Sequence, residues 1–336
     1  TLQVQQQQTL FQRRHCIIKT NDINWRPEDA PSALNSLVGA TDRLRNVRDD
    51  RAIFLDIYIV VTAKVVRLVQ VSMKAQTSDG FLDPVWLSEL TGRFAEEALV
   101  ALLGSLEGRA IAPAPWRLAN HLAVQHALAP AQAALLGINA HINYDLPLVL
   151  YEFLVLDEYY TTAEQIAKYK HDYFRVNRLL RTCVQPIVDI LIEGYNCGLT
   201  KFCTRLPGGR KLIEIVAMEI IKQWRRHVWW ESMRLLKAHQ SGHRSRIRKI
   251  VRRLDKRSGF LAQCIASPQL ISGRWFGGVG TCRTPHLFGT KPQVWPGVVP
   301  GSASIRSITD LVLASDVISR QDNVEYVKYD NIKNGT

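Results

Sequence analysis

"LLGINAHINYDLPLVLYEFLVL", residues 135–156, decides how this chain folds. It is an apolar run of helical length that nonetheless carries Asn139, His141, Asn143, Asp145 and Glu152. About 20 apolar residues suffice to cross a bilayer, so a membrane span has to be weighed first. An aspartate at the centre of such a span costs roughly 2.5–3.5 kcal/mol on insertion scales, and His141, Glu152 and Pro147 add to that cost. A buried central helix of a helical bundle accommodates the same residues more cheaply, because facing helices can satisfy the polar groups.

Outward from this helix, the remaining apolar residues recur at helical spacing. Leu34, Leu37, Val38, Thr41 and Leu44 mark a first helix over 34–44, after an acidic Pro-Glu-Asp that suits a helix start. "AIFLDIYIVVTAKVVRLVQVS" is rich in β-branched residues, yet Phe54, Ile57, Tyr58, Val61, Val65 and Leu68 form one helical stripe across it. Asp83-Pro84 is a cap followed by a first-turn proline, and Leu87, Leu90, Phe94, Ala98, Ala101 and Leu102 follow on one face. "TTAE" at 161–164 reads as a capping box between Thr161 and Glu164, opening a helix that runs past a kink at Pro186 to about Tyr195. Ile213, Val216, Ile220, Trp224 and Val228 give the helix after "LPGG" its apolar face, and a last amphipathic helix spans about 243–257. No segment shows a strand's period of two. The expectation is an all-α bundle of seven or eight helices around 131–156, covering residues 34–268. Residues 1–33, with "VQQQQ" and "WRPEDAPS", and 269–336, after a Gly- and Pro-rich change of character, are expected to be unstructured.

Composition adds two constraints. The six cysteines, Cys16, Cys183, Cys197, Cys203, Cys264 and Cys282, lack the spacing of a zinc ribbon or a disulfide scaffold, which implies reduced thiols and a cytoplasmic protein. Most of the net charge of +13 comes from one segment, since residues 222–257 hold thirteen Lys and Arg against Glu231 and Asp255. Within it, "HRSRIRKIVRRLDKR" (243–257) has eight cations beside the stripe Ile247, Ile250, Val251 and Leu254. Such a helix is either a solvated outer face or a binding surface for nucleic acid or an anionic membrane.

The polar residues of the central helix fall into two pairs. His141 and Asp145 are four apart and share a face, with Glu152 two turns further along it, while Asn139 and Asn143 share another. Pro147 has no N–H for the carbonyl of Asn143, so the helix is weakened where its polar groups are densest. One reading is a buried hydrogen-bond network that ties helices together. The other is chemical: His141 as acid or base oriented by Asp145, or both as metal ligands. A divalent metal needs further ligands from facing helices, for which His121, His126, Asp157 and Asp172 are available, though none forms a second pair at HxxxD or HxxxH spacing. Tyr173 and Asn177 in "HDYFRVN" share a face, and they line the same cavity if their helix faces 141–145.

The segments "FLDPVWLSEL", "APAPWRLA", "GINAHINYDLPLVL", "DYFRVNRLL" and "WRRHVWW", taken in order, resemble an uncharacterised helical domain family of bacteria and fungi over roughly residues 35–268. The resemblance implies the domain boundaries and the importance of Asn139, His141, Asn143 and Asp145, without naming a reaction. A similarity to helical zinc phospholipases is weaker, because their several histidine ligands have no counterpart in this sequence.

The sequence contains no P-loop, dinucleotide fingerprint, nucleophile elbow or complete metal set. By elimination the expectation is a small-molecule enzyme acting in a cavity inside the bundle on a small apolar or amphipathic substrate, without cofactor. Isomerisation or cyclisation, of the kind found in specialised metabolism, fits an acid–base pair in an apolar cavity. His141 and Asp145 would be catalytic, and Asn139, Asn143, Tyr58, Tyr173, Asn177 and Trp224 would contact substrate. The alternatives are a metal-dependent hydrolase on His141 and Asp145, and a non-enzymatic protein binding nucleic acid or membrane through 243–257.

Overall fold

The computed structural model describes residues 23–75, 80–109, 112–156 and 162–267. Among them every regular element is helical and none is a strand. In chain order these are α1 (Ala30–Asn46), α2 (Ala52–Ala75), α3 (Pro84–Leu106), α4 (Ala114–Val124), α5 (Pro130–Ala140), a π turn (His141–Asp145), α6 (Leu146–Leu156), α7 (Ala163–Asp189), a second π turn (Ile190–Gly194), α8 (Gly198–Arg205), α9 (Gly209–Gln240) and α10 (Arg244–Ala266). Because each π turn continues its helix, the described residues form nine helical rods rather than seven or eight. The short α8 is the element whose sequence gives least warning.

The rod made of α5, the first π turn and α6 is central. It packs against α2 and α3 on one side and against α4, α9 and α10 on the other. The quoted run is therefore apolar because it is surrounded, and no helix among the described residues is long and apolar enough to cross a membrane. Ile53, Ile57, Ala119, Ala133, Leu136 and Ala262 form one core cluster that joins α2, α4, α5 and α10. A second brings Leu235 and Ala238 of α9 onto Ile250 and Leu254 of α10, with Tyr144, Leu148 and Tyr151 packed against them.

Burial explains why α2 is a helix despite its β-branched composition. Residues 51–60 are buried without interruption, so the helix is enclosed on all faces. Helix propensity penalises Ile and Val by at most about 0.7 kcal/mol each, whereas burying each side chain contributes about 1.5–3 kcal/mol. Tertiary packing wins. Enclosure also forces a solution for Asp56, which lies in this helix at 2% exposure. Its carboxylate is gripped by the Arg45 guanidinium, with Nε 3.2 Å from Oδ2, and accepts the Tyr195 hydroxyl.

Several helix ends differ from the sequence expectation. The first helix starts at Ala30, four residues early, on a capping box between Asp29 and Ser32, with Ser32 N to Asp29 Oδ1 at 2.8 Å and Asp29 N to Ser32 Oγ at 3.1 Å. Residues 23–33 thus belong to the folded part, with Ala30 and Ala33 fully buried. The capping box of α7 is formed by Thr162 and Gln165, one residue after the expected pair, whose Thr161 lies outside the described residues; Gln165 N donates to Thr162 Oγ1 at 3.2 Å and Thr162 N to Gln165 Oε1 at 2.8 Å. Both pairs satisfy the same spacing rule, and the frame one residue later is the one used. Helix α7 passes Pro186 and gives way four residues on to the π turn Ile190–Gly194. The last helix continues to Ala266, nine residues beyond the expected end. Cys183, Cys197, Cys203 and Cys264 form no disulfide among the described residues, while Cys16, Cys282, Asp157 and the tail 269–336 lie outside them.

Candidate functional site

The first π turn is HINYD, residues 141–145, at the midpoint of the central rod. Its bond runs from Leu146 N–H to His141 C=O, five residues apart, where an α-helix would span four. Pro147 follows at once and offers no N–H of its own, so α geometry could not have been completed through it. The Pro147 carbonyl accepts the Ser232 hydroxyl at 3.1 Å, which fixes the turn against α9.

The two polar pairs are satisfied to different degrees. Asn143 Nδ2 donates to Asn139 Oδ1 at 3.0 Å, and Asn139 Nδ2 to the Ser258 carbonyl of α10 at 2.9 Å. This pair ties the rod to α10. On the other face, His141 Nδ1 lies 3.2 Å from Asp145 Oδ2, and Trp116 Nε1 of α4 donates to the same oxygen at 2.9 Å. His141 Nε2 is buried and meets no hydrogen-bond partner.

An aromatic enclosure surrounds the imidazole. Phe94 of α3 stacks on it with centroids 3.4 Å apart and planes 6° apart, and Tyr58 and Phe54 of α2 meet it edge-on at 4.5 Å and 5.7 Å. Desolvation in this enclosure pushes the Asp145 carboxyl well above the usual carboxylate range, with the nearby Glu97 raising it further and the Trp116 bond opposing. The same desolvation holds His141 well below its ordinary value. Burial also raises Tyr58, with the Asp145 charge adding to the effect and the Thr62 hydroxyl opposing it. Both shifts favour the uncharged form of each group, in which a carboxyl proton would lie between Asp145 Oδ2 and His141 Nδ1.

Further along the same stripe, Glu152 reaches Arg93 of α3 at 3.0 Å. Arg93 also holds Glu96 at 2.8 Å and Glu97 at 2.7 Å, so one guanidinium serves three carboxylates at the edge of the enclosure. Burial raises Glu97, and the Arg93 charge opposes that rise.

The structure divides the residues proposed from sequence into separate places. Asn139, Asn143, His141, Asp145 and Tyr58 come together on and around the π turn. Tyr173 and Asn177 do not join them. The Tyr173 hydroxyl donates to the Arg225 carbonyl at 2.9 Å, Arg225 Nε donates to Asn177 Oδ1 at 2.8 Å, and the guanidinium lies 4.0 Å over the Tyr173 ring. This is a buried clasp between α7 and α9, in which desolvation pushes the Tyr173 phenol up to about 12. Trp224 sits partly exposed on α9, next to that clasp in sequence and not beside His141. The extra metal ligands are dispersed as well: His126 pairs with Asp50 at 2.9 Å, His121 is exposed, and Asp172 accepts the backbone N–H groups of Leu82 and Asp83 at 2.9 Å and 2.7 Å. No group of three or more His, Cys, Asp or Glu suited to a metal occurs among the described residues. The void bordered by Phe54, Trp116 and Gly137 measures about 20 Å³.

Sequence reasoning passed over Trp116, Phe94 and Arg93. Trp116 stands in the Pro-flanked "APAPWRLA", where an indole N–H near a helix start was a usable signal; Phe94 read only as one more apolar-face residue. With this geometry in view, comparison with known families matches residues 31–268 to a family of unknown function, DUF5995. The chain belongs to DUF5995. No curated protein and no solved structure is significantly similar to it. Within the span that matches DUF5995 lie all the described helices except the first residue of α1, and with them the whole enclosure around His141.

Proposed function

We propose that the protein is a small-molecule enzyme in which His141 acts as a general acid through Nε2, backed by Asp145. The observation that carries this reading is the buried, unpartnered Nε2 of an imidazole whose other nitrogen is held by a carboxyl group. A buried polar group without a partner costs about 1–3 kcal/mol, and such groups call for an explanation in function.

A substrate with one hydrogen-bond acceptor takes the Nε2 proton, while Nδ1 takes the proton shared with Asp145. The imidazole stays neutral throughout, and the carboxylate so formed keeps the Trp116 N–H. The return of a proton from a carbon or oxygen of the substrate restores the pair, which gives an isomerisation or cyclisation with no net change in protons. The aromatic rings supply an apolar wall for the rest of the substrate. The adjoining void admits about one water molecule, so substrate reaches Nε2 only when the aromatic enclosure opens.

The test uses His141→Phe, which keeps the stack on Phe94 and removes both nitrogens. Wild type and variant, matched for melting temperature, are incubated with a metabolite extract in deuterated buffer and the products compared by mass spectrometry. A product formed only by the wild type, with deuterium incorporated, supports the reading. Identical product profiles from the two proteins would remove it.

A further inference from the structure

The outer face of α10 is distant in character from the His141 enclosure. Arg248, Lys249, Arg252, Arg253, Lys256 and Arg257 line a groove of about 850 Å³, with Ser245 and Phe260. They form two adjacent rows, Arg248–Arg252–Lys256 and Lys249–Arg253–Arg257, in which successive members are about 6 Å apart along the helix. Arg253 is braced by the buried Glu231 at 2.8 Å, and Arg257 contacts His227. Among the described residues Arg248, Lys249, Arg252 and Lys256 are exposed and engaged in no ion pair.

Two exposed aromatic rings flank the rows. Phe260, 67% exposed, stands one turn beyond Lys256. Trp230 of α9, 53% exposed, lies 5.8 Å from the His227 ring that Arg257 contacts, and Arg234 sits 4.5 Å over its face. Cations in a groove, with rings at the border, match the needs of a polyanion whose bases can stack.

An anionic membrane is the competing polyanion, and the packing of α10 disfavours it. A helix that lies in a membrane interface inserts its apolar stripe. Here that stripe is spent inside the protein, with Ile250 at 2% and Leu254 at 3% exposure against Leu235 and Ala238. What remains outside is charge and two rings.

We propose that this face binds single-stranded nucleic acid without sequence preference, the two cationic rows following the phosphates and Trp230 and Phe260 stacking on bases. The test is fluorescence anisotropy of the full chain with a fluorescein-labelled 20-nucleotide oligothymidine between 50 and 200 mM salt. Six neutralised phosphates at about 0.7 counterion each weaken affinity roughly 300-fold over that range. The variant Arg248→Gln/Arg252→Gln/Lys256→Gln, altered only at exposed positions, is expected to lower the slope of log affinity against log salt by about 2. Trp230→Ala is expected to weaken binding about tenfold, with unchanged circular dichroism in both. The proposal is overturned if the oligonucleotide does not bind at 50 mM salt or if the triple variant keeps the wild-type slope. It is equally overturned if Trp230→Ala binds as tightly as wild type, or if the chain sediments with phosphatidylserine vesicles while ignoring the oligonucleotide.

Discussion

Gly137→Ala probes the packing beneath the site. Gly137 lies on α5, four residues before His141, and a Cβ there would fall 2.5 Å from Phe54 Cδ2 and 2.6 Å from Phe54 Cβ. Phe54 has little room to retreat, since Trp116 and His141 meet it at centroid distances of 5.5 Å and 5.7 Å and Tyr58 at 5.8 Å. Overpacking a closed core costs about 1–3 kcal/mol, and the rigidity of this neighbourhood argues for the top of that range. Replacing a helical glycine returns about 0.5–1 kcal/mol, which leaves a net loss of about 2 kcal/mol. For a folded part of this size that lowers Tm by about 4–8 °C. Gly104→Ala is the matched control, because a Cβ there meets nothing within 4 Å and only the helix gain of about 0.5–1 kcal/mol remains. Thermal unfolding followed at 222 nm should therefore move in opposite directions for the two variants. A Gly137→Ala protein that melts at or above wild type would refute the packing argument, and with it the claim that Phe54 is locked against His141.

Other consequences are equally open to measurement. Asp172→Ala strands the N–H groups of Leu82 and Asp83 and should cost about 3 kcal/mol; a urea midpoint equal to wild type would contradict it. Arg225→Met leaves Asn177 and the Tyr173 carbonyl without their donor and should cost about 1–3 kcal/mol by the same assay. The pH profiles of Asp145→Asn and His141→Phe should tilt in opposite senses. A folded His141 held below 6.5 binds fewer protons than the unfolded chain on the acid side, so its part of the stability falls as pH drops through about 6.5. A folded Asp145 held above 3.8 binds more protons than the unfolded chain, so its part falls as pH rises from about 4 toward the raised value. Asp145→Asn keeps only the histidine effect and should gain stability from pH 5 to 7 relative to wild type, and His141→Phe should lose it. Profiles parallel to wild type for both variants would mean that neither shift exists.

The helices were legible because their apolar spacing is a property of neighbours along the chain. Helix α2 is the instructive case, since local propensity pointed to strand while the stripe from Phe54 to Leu68 pointed to helix, and complete burial decided the matter. The pairs 139/143 and 141/145 were legible for the same reason, four residues being one turn. What joins Trp116, Phe94 and Tyr58 around His141 is contact between α2, α3, α4 and the π turn, and no spacing rule reaches across separate helices. The assignment of Tyr173 and Asn177 to that cavity failed on this point. Their shared face was read correctly, but the helix it meets is α9 and the partner is Arg225.

The π turn supplies its own comparison between structure and function. Within seven residues the same rod carries two polar pairs at the same spacing, with Asn139, His141 and Asp145 buried and Asn143 half-buried. Asn139 and Asn143 bond to each other and to the Ser258 carbonyl, as groups do when they hold helices together. His141 is bonded at Nδ1 alone, and its Nε2 meets no hydrogen-bond partner inside the aromatic enclosure. Were His141 needed only as a tie, a residue with one polar atom, or a second asparagine, would serve without the cost of the stranded nitrogen. The asparagines show that this backbone can bond a polar pair within itself and across to α10. That it leaves His141 Nε2 without a partner, and holds Asp145 with Trp116, is the physical reason for proposing chemistry at His141 and an architectural role for the asparagines.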